Sequence, residues 1–490
     1  MYSEKKVLAK PKSDHIKRED RKKIMLLSDD IRMTSGISTV SRELVIGTAH
    51  RFNWVNLGAA INHPDSGKKF DLNDTTNELA GITDASITLY PINGYGTQEL
   101  VRQMIELEKP DAIMMFTDPR YWIWLFQMEN EIRKKIPIIY LNIWDDLPAP
   151  LYNKSYYDSC DTLLAISKQT ENINRLVLGD SAKNKIIKYL PHGINENAFY
   201  PINEYMQKEN EALEQKKKEL FQEDTPEYVV FYNARNIRRK STADLILSYS
   251  IFCDSIGKEK AKKCRLLLHT DPLDENGTDL PAVIDLLCDP DYQKVIFTKG
   301  RTSVNDINLY YNLSDVTCLI SSNEGWGLSL TEAMMCGKMI IGNVTGGMQD
   351  QMRFEDENGD WINFDKDFCS NHFGKYKKCG DWAVPVFPSN MSLVGSIPTP
   401  YIFDDRADFR DVAKAMETVY NLNKEERDRR GMLAREWVTS DESKMSATNM
   451  CDTFISTVEE TLETFKKRSP FELIKTEKLD RKKIVHPITY

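Results

Sequence analysis

The chain of 490 residues is 41% hydrophobic and 28% charged, which excludes a chain disordered throughout, a collagen-like repeat and a small disulfide-stapled scaffold. At roughly 150 residues per domain, its length requires more than one core. The net charge of −9 is uneven: residues 1–23 carry nine Lys/Arg against four Asp/Glu and residues 466–490 eight against three, so each end is +5 and the middle −19.

Residues 1–21 are polar and aperiodic and read as a basic mobile arm. A first unit follows over 22–202. KIMLLS (23–28) reads as a strand, the segment around TSGIS (34–38) as a loop, and Ile37, Val40, Leu44 and Val45 recur at helical spacing. Further strands are expected at 53–59, 85–91, 112–117, 136–144, 162–167 and 185–191, several separated by helical patterns. Apolar runs without polar alternation suit parallel strands covered on both faces. The charged stretch 203–225 reads as a linker. A second series over 226–440 places strands at 228–234, 264–269, 294–300, 315–321 and 338–343, and is interrupted at 351–405 by an aperiodic insertion rich in Trp, Phe, Pro and Gly. Residues 441–490 read as C-terminal helices with a basic end. The fold class expected is α/β, with two Rossmann-like doubly wound parallel-sheet domains facing a central cleft. Open parallel sheets bind ligands beyond the carboxyl ends of their strands, so that cleft is the expected site.

Nine cysteines without a repeated spacing, and no leader pattern before them, fit a reducing, cytoplasmic setting. Cys369, His372 and Cys379 lack a fourth ligand and match no standard zinc spacing, so no metal is expected. No apolar run reaches the length of a membrane-spanning helix.

The segment ISSNEGWGLSLTEAMMCGKMIIGN (320–343) reads as strand, glycine-containing loop, short helix and strand. A helix start at the cleft is an anion site, since its free N–H groups and positive dipole end both favour phosphate. Gly325 and Gly327 allow close approach to the backbone. Glu324 and Glu332 bracket the loop, although with 74 acidic residues such a spacing arises about 11 times by chance. Glu332 also has a purely structural reading, since Ser329-x-x-Glu332 has the form of a capping box. In YVVFYNARNIRRKS (228–241) a strand ends at Ala234 and the cations Arg235 and Lys240 precede a helix. An arginine fork and a lysine point charge there could neutralise a diphosphate, or the turn could be an exposed basic one, with Arg238 and Arg239 alongside.

Together the two segments resemble the nucleotide-sugar half of retaining glycosyltransferases of the GT-B fold, family four type. EGWGLSLTEAMMCG follows that family's E-x-F-G-L-x-x-x-E-A-M-x-x-G, with Trp326 in the aromatic slot, and NARNIRRKS resembles its G-R-x-x-x-x-K-G, with Ala234 and Ser241 in place of glycines. YLPHGINENAFYP (189–201) looks like the family's junction segment, and VTGGMQDQM (344–352) like its G-G-x-x-E, with Asp350 for Glu. The resemblance implies that Arg235 and Lys240 hold the donor pyrophosphate, Glu332 the ribose hydroxyls and Glu324 the transferred sugar. Backbone N–H groups of Trp326, Gly327, Leu328 and Ser329 would complete the cradle, and no metal or other cofactor is implied.

The first unit would hold the acceptor. Gly36 and Ile37 open a helix toward the cleft, with an ordinary helix start capped by Thr34 or Ser35 as the alternative. Where family members often carry a His, this chain reads NIWDDLP, so Asp145 is a candidate for catalysis and Asp146 for holding a hydroxyl, with Trp144 as a stacking wall; a solvated acidic loop is the competing reading. Asp118 and His192 complete the candidate sugar or acceptor contacts. The expected activity is a hexosyl- or pentosyltransferase moving a sugar from a nucleotide diphosphate to a hydroxyl with retention. The 23–40 and 110–150 stretches also resemble glycosyltransferases encoded by large tailed bacteriophages, some of which modify hydroxymethylated bases in DNA. That makes modified DNA one acceptor expected beside saccharide, lipid-linked and protein acceptors. A nucleotide-sugar-binding protein without turnover is the alternative class.

Overall fold

The computed structural model describes residues 14–60, 64–222, 224–298 and 302–469. The first sheet contains β1 (Lys22–Asp29), β2 (Phe52–Ala59), β3 (Phe70–Asp71), β4 (Ile87–Pro91), β5 (Ala112–Phe116), β6 (Ile138–Asn142), β7 (Thr162–Ala165) and β8 (Ile186–Tyr189). Their order is β3-β4-β2-β1-β5-β6-β7-β8, parallel except for β3 against β4. The second contains β9 (Tyr228–Asn233), β10 (Cys264–His269), β11 (Val295–Phe297), β12 (Val316–Leu319), β13 (Met339–Asn343) and β14 (Ala383–Val386), in the order β11-β10-β9-β12-β13-β14 and wholly parallel. The unbroken apolar runs explain this: β5 and β6 are buried along their whole length, as strands covered on both faces must be.

In each sheet the chain reverses direction of growth once, between β1 and β5 and between β9 and β12. Such switch points open a crevice at the strand ends, and the segments after β1, β5, β9 and β12 are those singled out from the sequence.

Three stretches differ from their sequence reading. Residues 14–21 of the expected arm are fixed to the body: the buried Arg21 donates to Ile16 O at 2.7 Å, Asp84 O at 2.8 Å and Asp84 Oδ1 at 2.5 Å. Residues 1–13, and 470–490 of the basic C-terminal end, lie outside the described residues. The charged stretch 203–225 forms the helix Gln207–Phe221, whose Lys216 reaches Asp306 at 2.9 Å and Glu219 at 3.0 Å. The interval 351–405 supplies β14 to the second sheet and then the antiparallel hairpin β15 (Asn390–Ser396) and β16 (Thr399–Arg406). The C-terminal helix Ala447–Thr464 returns to the first unit, where Phe454 stacks on Trp54 at 5.7 Å and Thr461 Oγ1 meets Thr162 Oγ1 at 2.6 Å. Among the described residues no helix is long and apolar enough to cross a membrane.

Candidate active site

After β9 the turn is anchored at Asn236, which is buried and donates to Thr278 O at 2.7 Å. A short 3-10 turn, Arg238–Lys240, then leads to Ser241 at φ 54° and the helix Thr242–Ile256. The left-handed conformation of Ser241 falls where the resembled motif carries its second glycine, which has no Cβ to clash there. After β12, Gly327 (φ 87°) is the N-cap of the helix Leu328–Met335, and no side chain caps that helix. Its first N–H groups therefore remain available, as an anion site requires. Ser329 lies inside the helix rather than at its cap, so the capping box does not form.

The two turns meet at Glu324. Lys240 Nζ pairs with Glu324 Oε2, Arg239 donates to the same oxygen at 3.1 Å and to Asn323 O at 2.7 Å, and Ser321 Oγ donates to Oε2 at 3.1 Å. Burial alone would raise the Glu324 carboxyl, but Lys240 and Arg239 overcome it and hold it down to about 2. Arg235 is not part of this cluster. Its side chain is 60% exposed and its guanidinium forks onto Asp274, at 2.5 Å and 3.1 Å. The anchoring of Asn236 and the bond from Ser322 N to Arg239 O (2.8 Å) explain this, since together they turn 239 and 240 toward the 321–324 loop. Arg239, set aside in the sequence as part of a basic turn, joins Lys240 and Glu324, whereas Arg235 lies outside that cluster; no spacing rule separates the two.

Glu332 Oε2 accepts from Tyr311 Oη at 2.6 Å and from Asn233 Nδ2 at 3.2 Å, at the end of β9. Burial pushes its carboxyl up to about 7, opposed by those two bonds. Trp326 is buried, with its indole N–H on Thr331 Oγ1 at 2.9 Å, so only its backbone is free to serve a ligand.

The first unit closes on this loop. A Cβ at Gly36 would stand 3.2 Å from Leu328 Cδ1, and one at Gly325 would stand 2.9 Å from Ile166 Cδ1 and 3.1 Å from Ile143 O, so both glycines sit where the two sheets touch. Ser35 caps the helix Gly36–Gly47 by accepting from Ser38 N, and Ile37 packs against the larger core. Asp350 bridges the units: its Oδ2 accepts from Lys168 N at 2.9 Å, at the start of the helix Lys168–Leu178, and burial pushes its carboxyl up to about 7. His192 lies between Phe116 (5.6 Å) and Trp326 (6.4 Å). Burial drives its imidazole down to about 3, so it is neutral at ordinary pH.

Beside Glu324 a cavity of about 440 Å³ is lined by Asp118, Trp144, Asp145 and Asp146 of the first unit, and by the β15–β16 hairpin. Burial raises Asp145 to about 6, with Arg239 opposing and Glu324 adding. Asp146 is raised well above the usual carboxylate range by burial and by Asp145. Trp144 is buried and its indole N–H is spent on Asp146 O at 3.0 Å, so it forms a wall rather than an open stacking platform. Asp118 is held by Arg120, at 2.5 Å. The hairpin's part in this cavity was invisible in the sequence, because its strands are only partly buried and carry no unbroken apolar run. Cys369, His372 and Cys379 belong to an aromatic-rich region in which His372 packs on Phe354 at 4.5 Å. Among the described residues no three His, Cys, Asp or Glu side chains are grouped as metal ligands.

Solved structures decide the architecture. Sucrose-phosphate synthase from Thermosynechococcus elongatus superposes with a TM-score of 0.63 at 15% identity, over 90% of this chain and 100% of that one. Anabaena Alr3699/HepE in complex with UDP and glucose gives 0.59 at 13%, again over 90% and 100%. The fold is GT-B. Residues 213–366, containing both site turns, match the family model "Glycosyl transferases group 1". Among curated relatives, alpha-monoglucosyldiacylglycerol synthase of Acholeplasma laidlawii is 29% identical over 152 residues, 31% of this chain. The chain spans about a third (34%) of that relative's length.

Proposed function

We propose that the protein is a glycosyltransferase that moves a sugar from a nucleoside diphosphate to an acceptor hydroxyl with retention of configuration and without a metal. The observation that carries this reading is the convergence of Lys240, Arg239 and Glu324 beside the uncapped helix Leu328–Met335. The diphosphate lies against the helix tip, with Lys240 and Arg239 as its cations and Arg235 at the rim. Glu324 passes from its cations to the hydroxyls of the sugar, and Glu332 holds the ribose. The bond from the anomeric carbon to the diphosphate oxygen breaks as the acceptor oxygen bonds to that carbon on the same face, and the acceptor proton leaves with the diphosphate. Charge accumulates on the departing phosphate, so fixed donors aimed there lower the barrier, each by about 3–4 kcal/mol. Asp145, ionised above about pH 6, orients the acceptor hydroxyl. HepE, of the same fold, is seen with UDP and glucose, in keeping with a diphosphate donor.

Incubation with a panel of UDP-, GDP- and ADP-sugars tests this. Release of a nucleoside diphosphate from one of them, lost in Lys240→Ala, is the expected result; binding without release assigns the protein to the non-catalytic class. The two +5 chain ends are compatible with one particular acceptor, a hydroxymethylated base in DNA, as they are with an anionic lipid, while the net −9 disfavours a broad nonspecific DNA surface. A salt-sensitive shift of duplex bearing hydroxymethylcytosine, absent with plain duplex, distinguishes that acceptor from a saccharide, lipid or protein.

A further inference from the structure

The start of the helix Lys168–Leu178, on the first unit, is gripped by the second. Lys168 N donates to Asp350 Oδ2 at 2.9 Å, Lys168 Nζ donates to Ile362 O at 2.8 Å, and Asn172 Nδ2 donates to Asp365 O at 2.7 Å. The same turn also holds the loop after β6. The buried Thr170 donates from Oγ1 to Trp144 O at 2.9 Å, and Gln169 donates from Nε2 to Asp145 O. One stretch of helix is thus bonded both to the second unit and to the loop that carries Asp145.

Gln169 does both at once. Its Oε1 accepts from Gln349 Nε2 at 3.3 Å, and Gln349 Nε2 also donates to Gly346 O at 3.3 Å and to Ser370 O at 3.1 Å. Next to Gly346, the N–H of Gly347 donates to Glu324 O at 3.0 Å. Two amide side chains therefore bridge the backbone at Asp145 to the loop bonded to Glu324. Neither amide fits reversed, because carbonyl oxygens stand at Asp145, Gly346 and Ser370 and each end of the bridge must present N–H to them. Both glutamines are buried, and Gln349 Oε1 has no partner. An unpaired buried amide oxygen is costly and an apolar side chain of similar size avoids that cost, so stability alone does not account for glutamine at 349.

We infer that Gln169 and Gln349 are positioning residues, whose amide bridge fixes Asp145 relative to Glu324 across the two units. The inference rests on the transferase reading above, in which Asp145 meets the acceptor and Glu324 the transferred sugar, and it adds what keeps the two in register. Groups carried on separate units react only when held at the right separation, and a misplacement of about 1 Å costs about 10²-fold in rate. The bridge acts on turnover and not on nucleotide binding, because Lys240 and Arg239 are held by Glu324 and Asn323 rather than by either glutamine.

The test compares the full-length wild type with Gln169→Leu, Gln349→Leu, the double variant and Asn172→Ala. Release of nucleoside diphosphate is followed from UDP-, GDP- and ADP-glucose, with methyl glucoside, diacylglycerol micelles or hydroxymethylcytosine duplex as acceptor, and binding of UDP, GDP and ADP is measured by calorimetry. Each single Leu variant should lower kcat at least about tenfold and leave the affinity for the diphosphate within about twofold. The double variant should be no more than about twofold slower than the slower single one, since both changes break one bridge. Asn172→Ala, which gives up a bond between the same units outside the bridge, should keep kcat within about twofold. Should Gln169→Leu melt early, Gln349→Leu carries the same expectation, because it breaks the bridge while leaving Gln169 on Asp145 O. Wild-type kcat in Gln349→Leu, additive losses in the double variant, an equal loss in Asn172→Ala, or weaker diphosphate binding in place of slower turnover overturns the inference. Failure of the wild type to bind any of the three diphosphates, or to release one from any donor, would instead overturn the transferase reading itself.

Discussion

The two faces of the cleft are charged in opposite senses and are held ready in opposite ways. On the second unit, Lys240 and Arg239 are already neutralised by Glu324, so the cations wait in an internal ion pair. On the first unit, Asp145 and Asp146 make no ion pair of that kind, and burial raises both carboxyls with Arg239 opposing. The difference teaches that the donor side is organised around an anion it must exchange for Glu324, and the acceptor side around carboxyls whose charge burial disfavours. A buried ion pair contributes little net stability, yet breaking one leaves a charge stranded, so the cationic face is the one where a single change should do most damage.

That contrast can be broken first at Lys240. Lys240→Ala removes a phosphate cation and leaves Glu324 with Arg239 and Ser321 alone; turnover should fall about 10²–10³-fold, and denaturant unfolding should show a loss of about 1–3 kcal/mol. Retention of wild-type stability would mean that Glu324 is not buried against it. Next in size is the choice between two arginines. Arg239→Ala should lower kcat/KM for the donor by about 10²-fold, while Arg235→Ala, which gives up an exposed pair with Asp274, should change it by less than about threefold. The reverse ranking would restore the assignment implied by the family resemblance.

The acceptor side is sharpened by pH. Burial raises Asp145 from 3.8 to about 6, so its carboxylate is lost as pH falls through 6, and kcat/KM for the acceptor should drop about tenfold per unit below that point. Asp145→Asn should be slow at every pH and lack that limb. For stability the sign is opposite: the raised carboxyl contributes most below its unfolded value and loses that contribution as pH rises through 6, so Asp145→Asn should gain stability relative to wild type at pH 8 but not at pH 4. The smallest effect is at Ser241, whose φ of 54° a glycine adopts freely. Ser241→Gly should stabilise the protein by about 1 kcal/mol, seen as a small rise in Tm with turnover unaltered.

Much of the fold was legible because its strands are unbroken apolar runs: β5, β9, β12 and β13 fall within the intervals read from the sequence, and β1 overruns its own by one residue at each end. The two-residue β3 carries too little pattern to be seen. β14 is hidden by Pro385, which its edge position tolerates. On the donor side, the motif resemblance pointed to Lys240, Glu324 and the helix start at Leu328, and these come together in space. Arg239 was not separable from Arg235 because the rotation of the turn depends on Asn236 meeting Thr278, a contact some forty residues away. The hairpin roof was equally hidden, since its attachment to Leu147 and Asn323 is wholly tertiary.

Calorimetric titration of UDP, GDP and ADP into the wild-type protein and into Lys240→Ala and Arg239→Ala tests most directly whether these two cations hold a diphosphate. One nucleotide should bind the wild type, and both variants should bind it at least tenfold more weakly, with a reduced salt dependence. Undiminished binding in both variants would contradict the account, because the diphosphate would then have to be held elsewhere.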